Sequence, residues 1–170
     1  MGFQRVALGR TGLSVSPIGI ASSYGTNEAM VEEAVDRGVN YLYWGALRTK
    51  KMARGIRSVV RRNRNDLVIV AHTTTRSPTT LSKVVQKSLG QLGVDHIDVL
   101  LLGWHNKRPD ARLIDHVSKL KHDGLIRFSA LSGHDRRLFP ELEKDKLIDI
   151  FHIRYNAAHR GAEGEILDHL

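Results

Sequence analysis

The chain of 170 residues contains no cysteine. That excludes disulfides, thiolate metal sites and a cysteine nucleophile, and it fits a reducing compartment. Proline is scarce, at four residues, and no proline-rich or glycine-serine tract breaks the chain, so one domain over residues 1–170 is expected. Long apolar runs are missing as well. The longest, "IDVLLLGW", is far too short to span a bilayer, and the opening "MGFQRVALGR" lacks the apolar core of a signal peptide. The expectation is a cytoplasmic protein with no membrane partner. Acid is in short supply: 18 Asp and Glu stand against 26 Lys and Arg, a formal charge of +8. The densest basic stretch is "RTKKMARGIRSVVRRNRN", Arg48 to Asn65. Within it Met52, Ala53, Ile56, Val59 and Val60 recur at helical spacing, so its charges read as the solvated face of an amphipathic helix. No nucleic-acid motif accompanies them, and nucleic acid is not the expected partner.

What the chain does have is a regular alternation of apolar runs and helical patterns. After "FQRVALGRTGLSVS", whose "GRTG" reads as a hairpin turn, "PIGIA" is followed by "NEAMVEEAVDRG". Asn27 can cap that helix, with Met30, Val31, Ala34 and Val35 as its buried stripe. "YLYWG" precedes the basic helix. "LVIVAHT" precedes "SPTTLSKVVQKSLGQLG", with a Ser-Pro start and Leu81, Val84, Val85, Leu89 and Leu92 on one face. "HIDVLLLGW" precedes "DARLIDHVSKLKHDG", capped by Asp110. "IRFSALSG" precedes "DRRLFPELEKDKL", and "DIFHIRYN" precedes "GAEGEILDHL". Six β-then-α units with continuous apolar strands indicate an α/β fold built on a parallel sheet. A doubly wound sheet should carry a G-x-G-x-x-G loop after its first strand, and "GIASSYGTNEA" lacks that spacing. A TIM-barrel-type (β/α) repeat needs no such loop and sets its chemistry at the C-terminal ends of its strands.

The segments "LGRTGLSVSPIGI", "EEAVDRGVNYL", "GQLGVDHIDVLLLGW", "HDGLIRFSALSGHD" and "IFHIRYNAAHRGAEGEI" together resemble the aldo-keto reductases in order and spacing, over nearly all the chain. The resemblance implies a TIM barrel whose bottom is closed by an N-terminal β-hairpin. It also implies an NADP(H)-dependent oxidoreductase of aldehydes and ketones, with a small carbonyl substrate. About six of the barrel's eight β/α units are present, so the expected architecture is an incomplete barrel.

By the same resemblance, four positions should hold the family's aspartate, tyrosine, lysine and histidine. Here they are Tyr43, Arg48, His72 and Gly103, so none of the four groups is retained. A positioned general acid or base contributes about 10² to 10⁴ in rate, and Arg48 cannot release its proton near neutral pH. Family catalysis by the usual groups is therefore expected to be weak or absent. Tyr43 and His72 at adjacent strand ends, with His105 two residues past Gly103, offer a relocated phenol and imidazole set. The alternative is that Tyr43 fills the space of a lost site. The nicotinamide carboxamide would meet Ser132 and Gly133, with His152 in place of a glutamine and Tyr155 and Asn156 following the family pattern.

His72, His105, His134 and His159 fall at or just beyond successive strand ends, but no H-x-H or H-E-x-x-H spacing and almost no matching acid accompany them. No metal site is assigned. The chain ends in "GAEGEILDHL" without the seventh and eighth units, after which barrel phosphate sites lie, so poor cofactor affinity is expected. Three explanations stand side by side: part of a longer protein, a truncated gene, or two copies pairing through open sheet edges. A barrel scaffold kept for binding or assembly is the alternative to an enzyme.

Overall fold

The computed structural model describes residues 2–45 and 50–169. A short antiparallel hairpin, β1 (Val6–Ala7) and β2 (Ser14–Val15), opens the chain. The "GRTG" segment lies in its connection, where Gly9–Thr11 form a 3₁₀ turn that ends on Gly12 in the left-handed region. Six parallel strands follow: β3 (Gly19–Ala21), β4 (Tyr41–Gly45), β5 (Val68–Thr73), β6 (Ile97–Leu102), β7 (Ile126–Ser132) and β8 (Ile150–His152). Each pairs only with its sequence neighbours, in the order β3-β4-β5-β6-β7-β8. A doubly wound sheet reverses its strand order at a switch point; this one never reverses. With right-handed crossovers, all the helices fall on one side of the sheet, which curls into a half-barrel.

The helices are α1 (Glu28–Asp36), α2 (Lys50–Asn63), α3 (Pro78–Leu92), α4 (Ala111–His122), α5 (Leu138–Lys144) and the short α6 (Ala162–Glu165). Their starts follow the sequence signals. Asn27 accepts from Met30 N, Ser77 from Thr80 N with Pro78 next, and Asp110 from Arg112 N, each satisfying an otherwise orphan amide. One stripe residue departs from expectation: Met30 is 51% exposed while Val31 is fully buried, because α1 turns only a narrow edge toward the sheet.

Strand alternation divides the apolar side chains into two cores. Leu42, Trp44, Ile69, Ala71, Leu100 and Leu102 face the helices and pack with Met52, Ile56, Val59, Leu81 and Val85. Val68, Val70, Val99, Leu101, Ala130 and Ile150 face the concave side, where Leu13 and Val15 of the hairpin segment cover them. Asn40 fastens the hairpin segment to the sheet: its Oδ1 accepts from Ser16 N at 2.7 Å, and its Nδ2 donates to Ser14 O and Asp66 O, both at 2.9 Å. Near the N-terminal end of the strands, fully buried Asp98 accepts from Ile69 N and pairs with Arg64 and Arg127 at 2.8 and 3.0 Å. Helices α1 and α2 approach unusually closely at Gly55, where a Cβ would lie 2.8 Å from Val31 Cβ and 3.0 Å from Glu28 Cα. Among the described residues no helix is long and apolar enough to cross a membrane.

Candidate functional site

Residues that alternate inward along β4 and β5 reach the concave side near its C-terminal rim. Tyr43 and His72 come from these two adjacent strands, with Gly45 opposite His72 in the register. Their rings lie 6.0 Å apart at 37°. Together with Trp104, Thr73–Thr75 and the Ser22–Ser23 turn they line a pocket of about 350 Å³. Among the described residues its lining carries no Asp, Glu, Lys or Arg. Burial raises the Tyr43 phenol above its ordinary pKa and lowers His72, so near neutral pH the pair presents a protonated phenol and a neutral imidazole.

His72 and Gly103 fit one another. A Cβ on Gly103 would stand 1.8 Å from His72 Nε2, so the imidazole occupies the volume that any side chain at 103 would need. On its other side, His72 meets the Trp104 ring edge-on, with centroids 5.6 Å apart. Trp104 is 64% exposed and has φ +58°, a region that costs a bulky residue about 1–3 kcal/mol and persists only where neighbours enforce it. They do so here: its N–H donates to Ser132 Oγ at 3.2 Å, and Arg76 Nη2 donates to its carbonyl at 2.9 Å.

The other sequence-selected residues are dispersed. Arg48 lies outside the described residues. His105 does not join Tyr43 and His72: it is 4% exposed, its Nε2 has no hydrogen-bond partner among the described residues, and burial together with Arg76 lowers its pKa to about 4. It lines a separate depression with Arg76, Asn106 and Lys107. Ser132 and Gly133 are engaged by the β6–α4 loop. His105 N donates to Ser132 O at 2.7 Å, Asn106 Oδ1 accepts from His134 N, and a Cβ on Gly133 would stand 1.8 Å from His105 O.

His152 lies inside the half-barrel, and its Nε2 is 2.7 Å from the Tyr41 hydroxyl. Burial, with His72 nearby, lowers it to about pKa 4. A neutral ring protonated on Nδ1 accepts from that phenol, whose own pKa burial raises. Asn156 Oδ1 accepts from Ala158 N and meets the His159 ring within its own turn. Tyr155 is half exposed and donates to Glu163 at 2.7 Å. His134 and His159 flank Arg154 at 3.5 and 3.3 Å. Among the described residues no group of three or more His, Asp or Glu could hold a metal ion.

Sequence reasoning missed Tyr41, Trp104 and Arg76. Tyr41 was within reach, since it lies two residues from Tyr43 and therefore on the same strand face. Trp104 and Arg76 had no local signal, because their roles depend on the crossing of two loops.

The Aldo/keto reductase family model matches residues 11–170. The NADH-specific methylglyoxal reductase of Escherichia coli K12 is 28% identical over 95 residues, covering 54% of this chain and 29% of that protein. The holo form of an aldo-keto reductase from Bacillus halodurans superposes with a TM-score of 0.83 at 23% identity, over 98% of this chain and 63% of that one. A candidate aldo-keto reductase from Pseudomonas aeruginosa gives 0.77 at 22% identity, over 95% and 72%. The chain thus spans less than two thirds of the Bacillus structure and under a third of the E. coli protein. With a family match over almost its whole length and a half-barrel that overlays on solved members, this chain belongs to the aldo/keto reductase family.

Proposed function

We propose that this family member holds a small, uncharged carbonyl compound in the pocket over Tyr43 and His72, with reductive turnover far below that of a fully equipped reductase. The observation that carries the reading is the fit of His72 to Gly103. A site decaying without use would leave a void when a side chain is lost; here the imidazole fills that volume while a pocket remains beside it. The described lining supplies a phenol donor, an imidazole and hydroxyls with no formal charge, which supports a neutral, polar ligand. Turnover is expected to be poor because burial raises the Tyr43 pKa away from the operating range of a general acid, and among the described residues the pocket lining holds no cation to lower it.

The family resemblance implies NADP(H), and the E. coli relative is named for NADH. The four residues selected for the nicotinamide end are only partly free to meet a carboxamide. Ser132 Oγ accepts from Trp104 N but keeps its own O–H to donate, Gly133 offers no side chain, His152 is held by Tyr41, and Asn156 Oδ1 is engaged in its own turn while its amide NH2 stays available.

Trp104, exposed beside His72, is a reporter for the test. Hydroxyacetone, a ketone relative of methylglyoxal added without any nicotinamide, should quench its fluorescence saturably at millimolar concentration. Tyr43→Phe should weaken that binding by about 2- to 10-fold, the value of one hydrogen bond. Absence of saturable quenching up to 50 mM (roughly a thousandfold above a typical small KM) defeats the binding reading. Methylglyoxal reduction faster than about 1 s⁻¹ with NADH or NADPH defeats the low-turnover reading.

A second reading, an assembly scaffold, is supported by the edges β3 and β8, each of which has one strand neighbour in the described sheet. A concentration-independent monomer in analytical ultracentrifugation counts against it.

A further inference from the structure

The two flanks of α2 are treated differently. Toward α1, its polar side chains meet a matching row of acceptors: Arg54 pairs with Glu28 at 3.5 Å, Ser58 donates to Glu32, and Arg62 pairs with Asp36 at 3.0 Å. Both rows advance by four residues, so the helices run side by side with their charges in register. Toward α3 there is no counterpart, because neither α2 nor α3 contains an Asp or Glu. Lys50, Arg57 and Arg61 of α2, with Lys83 and Lys87 of α3, are exposed and form no ion pair among the described residues. Lys50, Arg57 and Arg61 share one helix face at spacings of seven and four, and Lys83 and Lys87 share another. The aliphatic stem of Arg57 lies against Gly93, just past the end of α3, so it bridges the two helices.

We propose that the α2–α3 face binds the phosphate backbone of a nucleic acid duplex without reading its sequence. Three features select this partner. The face is uniformly cationic, as counterion-releasing phosphate contact requires. Packed helices lie about 8–10 Å apart, so the two rows of cations can meet phosphates on both sides of a major groove about 12 Å wide. Neither helix exposes a large apolar or aromatic side chain. That removes the stacking platforms of single-strand binders, the wedge of a membrane-surface helix and the aromatic anchors of a protein interface. Of the charge run that in sequence looks like an ordinary solvated face, only Arg54 and Arg62, on the α1 flank, are paired with acids of α1.

The test is fluorescence anisotropy with a labelled 24-base-pair duplex of arbitrary sequence. With up to five phosphate contacts, affinity should drop about 500-fold between 50 and 200 mM salt. The variant Arg57→Gln/Arg61→Gln/Lys83→Gln/Lys87→Gln should lower the salt slope by about four and weaken binding at 50 mM by at least 100-fold. Its helix content, read by circular dichroism, should be unchanged, since all four side chains are exposed. A control of equal charge change, Lys107→Gln/Arg112→Gln/Lys119→Gln/Lys144→Gln, should keep the slope. Equal losses in both variants would assign the effect to net charge and overturn the proposal. So would no binding at 50 mM salt, or tighter binding to phosphatidylserine vesicles or to polyglutamate than to the duplex.

Discussion

The two ends of the strands are built on opposite principles. At the N-terminal end the buried Asp98 carboxylate has two guanidinium partners and an amide, and Asn40 ties together three backbone segments, while Arg64 Nε is the one buried group named there without a partner among the described residues. At the C-terminal end stand imidazoles and phenols held neutral by burial, a tryptophan with positive φ, and His105 Nε2 without a partner. The first end is built for stability. The second carries unspent polar capacity, the pattern expected where a barrel keeps its ligand site.

Four substitutions or conditions test that contrast. The largest effect should come from the closed end: Asp98→Ala leaves Arg64 and Arg127 without their buried counter-charge and should cost about 3–5 kcal/mol in urea unfolding. A loss under 1 kcal/mol would show that water already serves those guanidinium groups.

Next is the pH dependence of the open end. His105 and His152 move from 6.5 to about 4 on folding. The unfolded chain therefore binds more protons between those values. The stability gained from neutral rings is complete above pH 6.5 and is lost as pH falls toward 4, about 2 kcal/mol per imidazole at pH 5. His105→Asn should reduce the slope of stability against pH in that window, with His152 and His72, also lowered by burial, supplying the remainder, whatever it does to stability at pH 7.5.

Gly103→Ala follows, at about 1–3 kcal/mol for overpacking against His72. Combining it with His72→Ala should recover most of that cost, since the clash needs both groups; additive losses would mean that the loop moves instead of the ring. The smallest effect belongs to the surface. Arg62→Gln breaks the exposed pair with Asp36 and should cost about 0.2–1 kcal/mol, less in high salt.

Much of the frame was legible in the chain. The six apolar runs became six parallel strands, and Asn27, Ser77 and Asp110 cap the helices they precede, because capping and alternation are local properties read over a few residues. Met30 misled, since period alone cannot say how wide a stripe the neighbours will cover. The site was legible only in part. Tyr43 and His72 could be paired from their places on successive strands, but His105, two residues beyond a strand, was carried by the loop into a different depression. Ser132 and Gly133 likewise became the seat of a neighbouring loop.

The sequence by itself determined the alternation, the caps and the family frame. Each of these follows from residue identity or short-range spacing. Only the tertiary structure decided that the His72 ring fills the space above Gly103, that Tyr41 reaches His152 across the half-barrel, and that the acids of α1 neutralise one flank of α2 while leaving the other bare. Those contacts join residues far apart in the chain, and charge and volume act through distance in space, which no local pattern encodes.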